Sequence, residues 1–277
     1  EYLNDPFFKQ KQDELESNHD RFDALILEMR NQKDQGKQSF LDKLLRINLW
    51  GNKADLSQIN VNQDAHSNEQ TLIDDSQLFQ DRLRKGISRI DMVLDNSGME
   101  LLTDLLLVKW LLDQGLVENA VLHAKAYPTF VSDATNVDVL ILLSFLENNG
   151  SNTSIDFVNS LQQFIDEGKV IIVSDRFWNA PLHFFEMPSN ISEELSGSDL
   201  IIFKGDANYR RIFGDRQIPA GSSARELSAY LPAPGLAVRI LKSEIIAGMD
   251  YDRKRELQDL EPDWRVNGKY GVIQYLR

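Results

Sequence analysis

The sequence predicts an α/β protein built on a mostly parallel sheet that is covered on both faces. Three observations carry this expectation. Short apolar runs at residues 90–94, 120–125, 169–174, 199–203 and 236–242 lack the alternation of half-buried strands, as strands covered on both faces do. Stretches of helical period fall between them, the pattern of strand–helix–strand units. The run at 90–94 also stops abruptly in Asp95-Asn96-Ser97-Gly98, and a helix opens at Met99. Polar side chains at that position lie where open α/β sheets bind ligands, outside the carboxyl ends of their strands.

Taken in order, residues 7–46 read as two helices joined by the polar turn 34–38, the first apolar at Phe22, Leu25, Leu27 and Met29, the second at Phe40, Leu41, Leu44 and Leu45. Residues 47–57 form an irregular segment, and the Asn-, Gln-, Asp- and Ser-rich stretch 58–76 reads as an exposed loop. This divides the chain into a helical N-terminal region (1–57), a polar loop and linker (58–80) and an α/β domain (81–277). Beyond Asp95 the expected elements are a helix over 99–112, the strand 120–125, helices over 137–146 and 157–165, the strands at 169–174 and 199–203, a helix from Asn208, and the strand 236–242. The C-terminal residues 264–276 suggest a hairpin turning at Asn267-Gly268.

The chain has 277 residues, of which 42% are hydrophobic and 26% charged, enough for a substantial core. Its net charge of -13 argues against nucleic acid or an anionic membrane as the main partner. With no cysteine, disulfides, thiolate metal sites and cysteine nucleophiles are all excluded. No signal-peptide pattern opens the sequence and no apolar run is long enough to span a bilayer, so the expected location is the cytoplasm, with the nucleus as a second compartment. The first residue is Glu1, and the start of translation is expected to lie upstream.

The chemistry-bearing residues cluster at strand ends. Asp95 and Asn96 offer a carboxylate and an amide carbonyl, hard oxygen donors suited to magnesium, manganese or a similar divalent ion. Asp206, placed the same way after the strand at 199–203, or Asp133, at the end of Phe130-Val131-Ser132, would complete such a site. An Asp-Asn pair after a strand also serves as a turn and helix cap. Lys125, Arg239, Lys242 and Lys269 fall at strand ends or turns, and Asn208 and Arg210 open a helix behind Gly205, an arrangement suited to phosphate. His123 reads as a structural histidine or an outer partner of a ligand, and Glu100 with Asp104 as a solvated helix face or helix cap. No Gly-x-Ser-x-Gly elbow, Gly-x-Gly-x-x-Gly loop or Walker A motif is present, and histidine is too scarce for a zinc hydrolase.

Three motifs resemble the metal-dependent damage-control phosphatase family: Leu49-Trp50-Gly51-Asn52-Lys53-Ala54-Asp55-Leu56-Ser57, Leu94-Asp95-Asn96-Ser97-Gly98-Met99-Glu100 and Phe203-Lys204-Gly205-Asp206-Ala207-Asn208-Tyr209-Arg210. His123-Ala124-Lys125, Pro128-Thr129-Phe130-Val131-Ser132-Asp133 and Asn267-Gly268-Lys269-Tyr270 are similar to the same family, in the subgroup of sugar phosphate phosphatases and acidic residue methyltransferase. The resemblance implies a three-layer α/β/α domain beside a helical N-terminal domain. It implies Asp95, Asn96 and Asp133 as metal ligands, with Asp206 moved to a neighbour of metal or substrate. It also implies substrate-phosphate contacts from Arg239, Ile240, Leu241, Lys242, Ser243 and Lys269. The implied activity is hydrolysis of fructose 1-phosphate, fructose 6-phosphate and similar sugar phosphates, with manganese, cobalt or nickel.

Two departures stand out. Ile240 replaces the threonine of the family's Arg-Thr-Leu-Lys run, which bears on substrate preference. Relatives also carry a longer helical region ahead of Phe7, so this chain is expected to be shortened there. The reading is therefore a divalent-metal phosphatase for small phosphorylated metabolites. A metal-activated water attacks in line, Asp95 is among the catalytic residues, Asn96 touches both metal and substrate, and Asp206 serves as base or ligand. The rivals are an S-adenosylmethionine-dependent carboxyl methyltransferase, which lacks its usual glycine-rich loop here, and a metal-stabilised non-catalytic binding domain.

Overall fold

The apolar runs fold as strands and the stretches of helical period fold as helices in the computed structural model, which describes residues 5–31, 36–51 and 70–277. In chain order the elements are α1 (Phe8–Ser17), α2 (His19–Asn31), α3 (Lys37–Trp50), β1 (Gln70–Asp74), α4 (Ser76–Arg84), β2 (Ile87–Val93), α5 (Gly98–Asp113), β3 (Val117–Lys125), α6 (Asn136–Asn149), α7 (Asn152–Asp166) and β4 (Val170–Asp175). After them come α8 (Ser189–Ser196), β5 (Leu200–Lys204), α9 (Gly205–Phe213), α10 (Ala224–Leu227), β6 (Gly235–Ile240), α11 (Tyr251–Leu260) and β7 (Tyr270–Leu276). The protein is α/β with a mostly parallel arrangement of strands, as the sequence predicts.

The chain divides into two compact units, one of residues 1–59 and 94–180, the other of residues 60–93 and 181–277. The division differs from the expected one at 57 and 80, because α1–α3 do not stand apart as a helical appendage. In the first unit α2 packs on α7 and α3 packs on α5. The parallel pair β3–β4, in register from Ala120↔Val170 to Lys125↔Asp175, completes that unit. Helix α5 is apolar nearly all round, with Leu101, Leu102, Leu105, Leu107, Val108 and Leu111 fully buried, as a helix enclosed by protein must be. Thr135 starts α6 through a reciprocal capping box with Asp138, and the Ser151 hydroxyl caps α7. A carboxylate from α2 reinforces the second cap: Asp23 accepts the Ser151 N–H at 3.0 Å together with both serine hydroxyls, those of Ser151 and Ser154.

The second unit orders its strands β1-β7-β6-β5-β2. All its pairings are parallel except β6–β7. Ile90 faces Leu200 and Val93 faces Phe203, so the two runs that resemble each other in sequence are direct neighbours here.

Four expectations change. The N-terminal pattern is three helices, since the Asn18 side chain donates to the Glu14 carbonyl at 2.8 Å and accepts from Arg21 at 2.6 Å, ending α1 and starting α2 at once. Part of the expected polar loop is strand β1, whose apolar residues are Leu72 and Ile73 and which, among the described residues, pairs with β7 alone. Residues 58–69 of that loop, like the Asn52 to Ser57 part of the first motif, lie outside the described residues. The C-terminal hairpin is absent: β7 runs antiparallel to β6 and parallel to β1, while Asn267-Gly268 leads into β7 from a turn region. Helices α4, α8 and α11 were not foreseen; α11 has only Leu257 buried, too little apolar signal to read as a helix.

Candidate functional site

In the first unit, the segment after β2 and the segment after β3 are knitted together by backbone hydrogen bonds. Leu94 N–H donates to the His123 carbonyl at 3.0 Å, Ser97 N–H to Ser132 at 2.7 Å, and Ala134 N–H to Asp95 at 3.0 Å. Asn96 and Asp133 face each other across an isolated antiparallel bridge. Two loops far apart in sequence thus present Asp95, Asn96 and Asp133 together.

Their side chains are already engaged. Asp133, only 4% exposed, accepts the Lys125 ammonium on Oδ1 at 3.0 Å and the N–H groups of Thr129 and Phe130 on Oδ2 at 3.1 and 3.0 Å. Lys125 Nζ also lies 3.8 Å from Asp95 Oδ1. Asn96 donates to Asp95 Oδ2 at 3.0 Å and to Glu100 Oε2 at 2.8 Å, which leaves its amide oxygen as an acceptor, filled by the Ser132 hydroxyl at 2.7 Å. Lys125 was expected on an anion; here it bridges two carboxylates. Glu100 and Asp104 are not a solvated face either. Glu100 is half-buried against Asn96, and Asp104 is fully buried, accepting from Asn48 at 2.7 Å. His123 is buried with its ring edge-on to Trp178.

The donor set fits a hard divalent cation. A positive group, the Lys125 ammonium, already sits between the Asp95 and Asp133 carboxylates, and the third group offers an amide oxygen. No cluster of three or more His, Cys, Asp or Glu side chains suited to a metal occurs among the described residues. The set is therefore two carboxylates plus an amide, not a carboxylate triad.

The second unit holds a different arrangement. Asp206, in the first turn of α9, accepts from the Lys242 N–H and the Ser243 hydroxyl, both at 3.1 Å on Oδ1. The same oxygen lies 3.1 Å from Arg239 Nη2, but off the line of its N–H. Arg239 is 1% exposed and stacks on the Tyr209 ring with its guanidinium carbon 4.0 Å from the centroid. Among the described residues none of Arg239 Nε, Nη1 and Nη2 makes a hydrogen bond. Burial pushes the Arg239 guanidinium below its ordinary pKa, and Asp206 and Tyr209 oppose that shift. Burial likewise raises the Tyr209 phenol, against the pull of Arg239. A buried cation with unused donors is an anion site in waiting.

The other expected contacts scatter. Lys242 is exposed and Ser243 half-buried. Ile240 and Leu241 are buried core residues, so their side chains offer nothing polar to a ligand. Asn208 is buried and donates to the Lys204 carbonyl at 2.8 Å. Arg210 is exposed and ion-paired with Asp215, and Lys269 is exposed and ion-paired with Glu261. Sequence reasoning missed Asn179, whose amide accepts the Ala126 N–H at 2.8 Å and donates to Tyr127 O and Thr129 Oγ1 at 2.6 and 2.7 Å. Asn179 thereby pins the loop that leads to Asp133, from a position after β4 where nothing in the local pattern marks it.

The class these features define is an α/β protein with a carboxylate–amide cluster beyond one strand and a buried arginine near the end of another. The profile of the damage-control phosphatase ARMT1-like domain matches residues 3–257, and the chain belongs to that family. Relatives named Damage-control phosphatase ARMT1 from Danio rerio and Homo sapiens are 34% and 33% identical, over 91% and 88% of this chain. The chain spans about three-fifths of their length, 61% and 60%. A crystal structure of a DUF89 family protein from Pyrococcus horikoshii matches the fold with a TM-score of 0.53 at 16% identity, over 98% of this chain and 75% of that one.

Proposed function

We propose that this chain is a divalent-metal-dependent phosphatase of small phosphorylated metabolites, with fructose 1-phosphate and fructose 6-phosphate as the first substrates to test. The observation that carries the reading is the gathering of Asp95 and Asp133 about the Lys125 ammonium, with Asn96 bridged to Asp133, in a member of the damage-control phosphatase family. Asp95, Asn96 and Asp133 would hold manganese, cobalt, nickel or magnesium. A bound divalent ion there neutralises charge on phosphoryl oxygens and acidifies water.

The chain's own residues supply the rest. Lys125 lies between the paired carboxylates and offsets part of their charge. Within the other unit, Arg239 has donors that make no hydrogen bond and Lys242 an exposed ammonium, groups that suit an anion. Asp206 is a positioning residue in this reading: its carboxylate fixes the 242–243 backbone and faces Arg239, so it orients the phosphate donors instead of taking a proton. The test is phosphate release from both sugar phosphates by the purified chain, with manganese and with chelator. Release that requires manganese and disappears in Asp95→Ala supports the reading. Methyl transfer from S-adenosylmethionine that survives chelation, with no phosphate released under any metal, would overturn it.

A further inference from the structure

Helix α1 reaches both loops of the carboxylate–amide cluster with side chains three residues apart on one face, Lys11 and Glu14. Lys11 is 6% exposed, and its ammonium donates to the backbone carbonyl of Asp133 at 2.8 Å and to Asp138 Oδ2 at 2.7 Å, with Asp5 Oδ2 at 3.1 Å. Asp138 Oδ2 also accepts the Thr135 N–H at 2.8 Å and the Thr135 hydroxyl at 2.6 Å. One ammonium therefore clamps both ends of the 133–138 segment, the ligand-bearing end and the helix cap. Glu14 lies at the first turn of α5, just after the other loop, where burial raises its carboxyl pKa and the nearby Met99 N–H opposes that rise. It lies so close over Gly98 that any side chain there would overlap its carboxylate, and Gly98 has a left-handed φ of +66° that favours glycine independently.

We infer that Lys11 and Glu14 are positioning residues for divalent-ion binding: they set the relative placement of Asp133 and of Asp95-Asn96 without touching the ion. This rests on the reading of Asp95, Asn96 and Asp133 as metal ligands. The physical reason is geometric. A hard divalent ion needs its oxygen ligands placed within a few tenths of an ångström, and outer partners that hold ligand backbones commonly carry tenfold to hundredfold of the affinity. Lys11 fixes the backbone of Asp133 itself, and Glu14 fixes the turn that begins two residues after Asn96.

The experiment measures manganese binding by titration, reading free manganese by electron paramagnetic resonance, for the parent, Lys11→Met, Glu14→Met, Asp95→Ala and Arg30→Met. Arg30→Met is the control for general loosening, because it removes an exposed pair with Asp156 between α2 and α7 and touches neither loop. The expected result is a Kd raised about tenfold to hundredfold in Lys11→Met and in Glu14→Met, with Arg30→Met like the parent. Turnover at saturating manganese should return to near the parent value, a split that mere misfolding does not give. Should Lys11→Met fail to fold because Asp138 is left unpaired, Glu14→Met, which strands no buried charge, decides the question. Parental manganese affinity in Glu14→Met and in any folded Lys11→Met, while Asp95→Ala has lost binding, overturns the positioning role and leaves the metal assignment standing. Manganese binding that Asp95→Ala does not alter would instead remove the metal assignment on which the role depends.

Discussion

Replacing Arg239 by methionine separates the anion-binding reading from a purely structural one. Removing one partner of a buried ion pair commonly costs about 3–5 kcal/mol, because the other charge is stranded. Asp206 is not stranded here, since it keeps the Lys242 N–H and the Ser243 hydroxyl. Methionine also removes donors that make no hydrogen bond, each of which carries a penalty of about 1–3 kcal/mol while buried. The lost stacking on Tyr209 is worth about 0.5–2 kcal/mol. The ligand-free variant should therefore lose about 2 kcal/mol or less. Its response to phosphate should change far more. A charge-assisted contact worth about 1.5–3 kcal/mol corresponds to a Kd raised about tenfold to hundredfold. At inorganic phosphate near a hundred times the parent's Kd, the parent gains about 2.7 kcal/mol of stability and the variant about half of that or less. Thermal unfolding with and without phosphate, at constant ionic strength with chloride as control, reads the difference directly. If phosphate stabilises Arg239→Met as much as the parent, the unused donors of Arg239 do not serve an anion. A variant much less stable than the parent without phosphate would show that the Asp206 ion pair is worth more than its geometry indicates.

The remaining predictions use the same style of measurement. Asp95→Ala should abolish the stabilisation by manganese, which in the parent should reach about 2.7 kcal/mol at a hundredfold excess over Kd; superimposable titrations of parent and variant would refute the ligand role. Lys242→Met should weaken protection by phosphate, whereas Lys269→Met should weaken it much less, because Lys269 is paired with Glu261; equal losses in phosphate titrations would contradict this. Asp23 gives a pH signature. Burial raises its pKa, but the Ser154 hydroxyl and the N–H and hydroxyl of Ser151 overcome that, so it lies below the ordinary 3.8. A depressed carboxyl pKa adds stability that is present above the unfolded value and lost as pH falls through the folded one. The stability gap between parent and Asp23→Asn should therefore be constant at about pH 6 and close on acidification below about pH 4; a gap that persists in acid would be wrong for this cap.

Strand and helix identity was legible where period and burial agree. The runs at 90–94 and 199–203 are apolar without alternation because both faces are covered, and they pair directly as β2 and β5. Strand β1 was illegible for the opposite reason. Among the described residues it pairs on one side, its residues stay partly exposed, and its composition matches the sequence before it. The break at Asn18 was hidden because apolar periodicity continues across it, and what ends α1 is a side-chain hydrogen bond to the Glu14 carbonyl. The C-terminal turn signal at Asn267-Gly268 was real as a turn and misleading as a hairpin. Local turn chemistry fixes a change of direction, but the partner of β7 is set by the hydrophobic pairing available in the sheet.

The candidate site divides along the same line. Asp95-Asn96 stood out because it is a local event, a strand that stops in two oxygen donors and a glycine. Whether Asp133 or Asp206 accompanies them was not decided by spacing, since it depends on which loops share hydrogen bonds. In the first unit the answer is carried by Ser97 to Ser132 and Ala134 to Asp95, backbone bonds that no side-chain pattern announces. Asp206 belongs to the other unit, where its Oδ1 accepts from the Lys242 N–H and the Ser243 hydroxyl and lies 3.1 Å from Arg239. Lys125 shows the limit most plainly. A lysine at a strand end is chemically ready for a phosphate, and its position on β3 was correctly read. Its partner was set by the 126–133 loop, which Asn179 and the Asp133 carboxylate fold back over it. With one ammonium between two aspartates, and Glu100 reached through Asn96, these side chains carry formal negative charge in excess of positive. A hard divalent cation is a species whose charge and ligand preference suit such a group of oxygen donors.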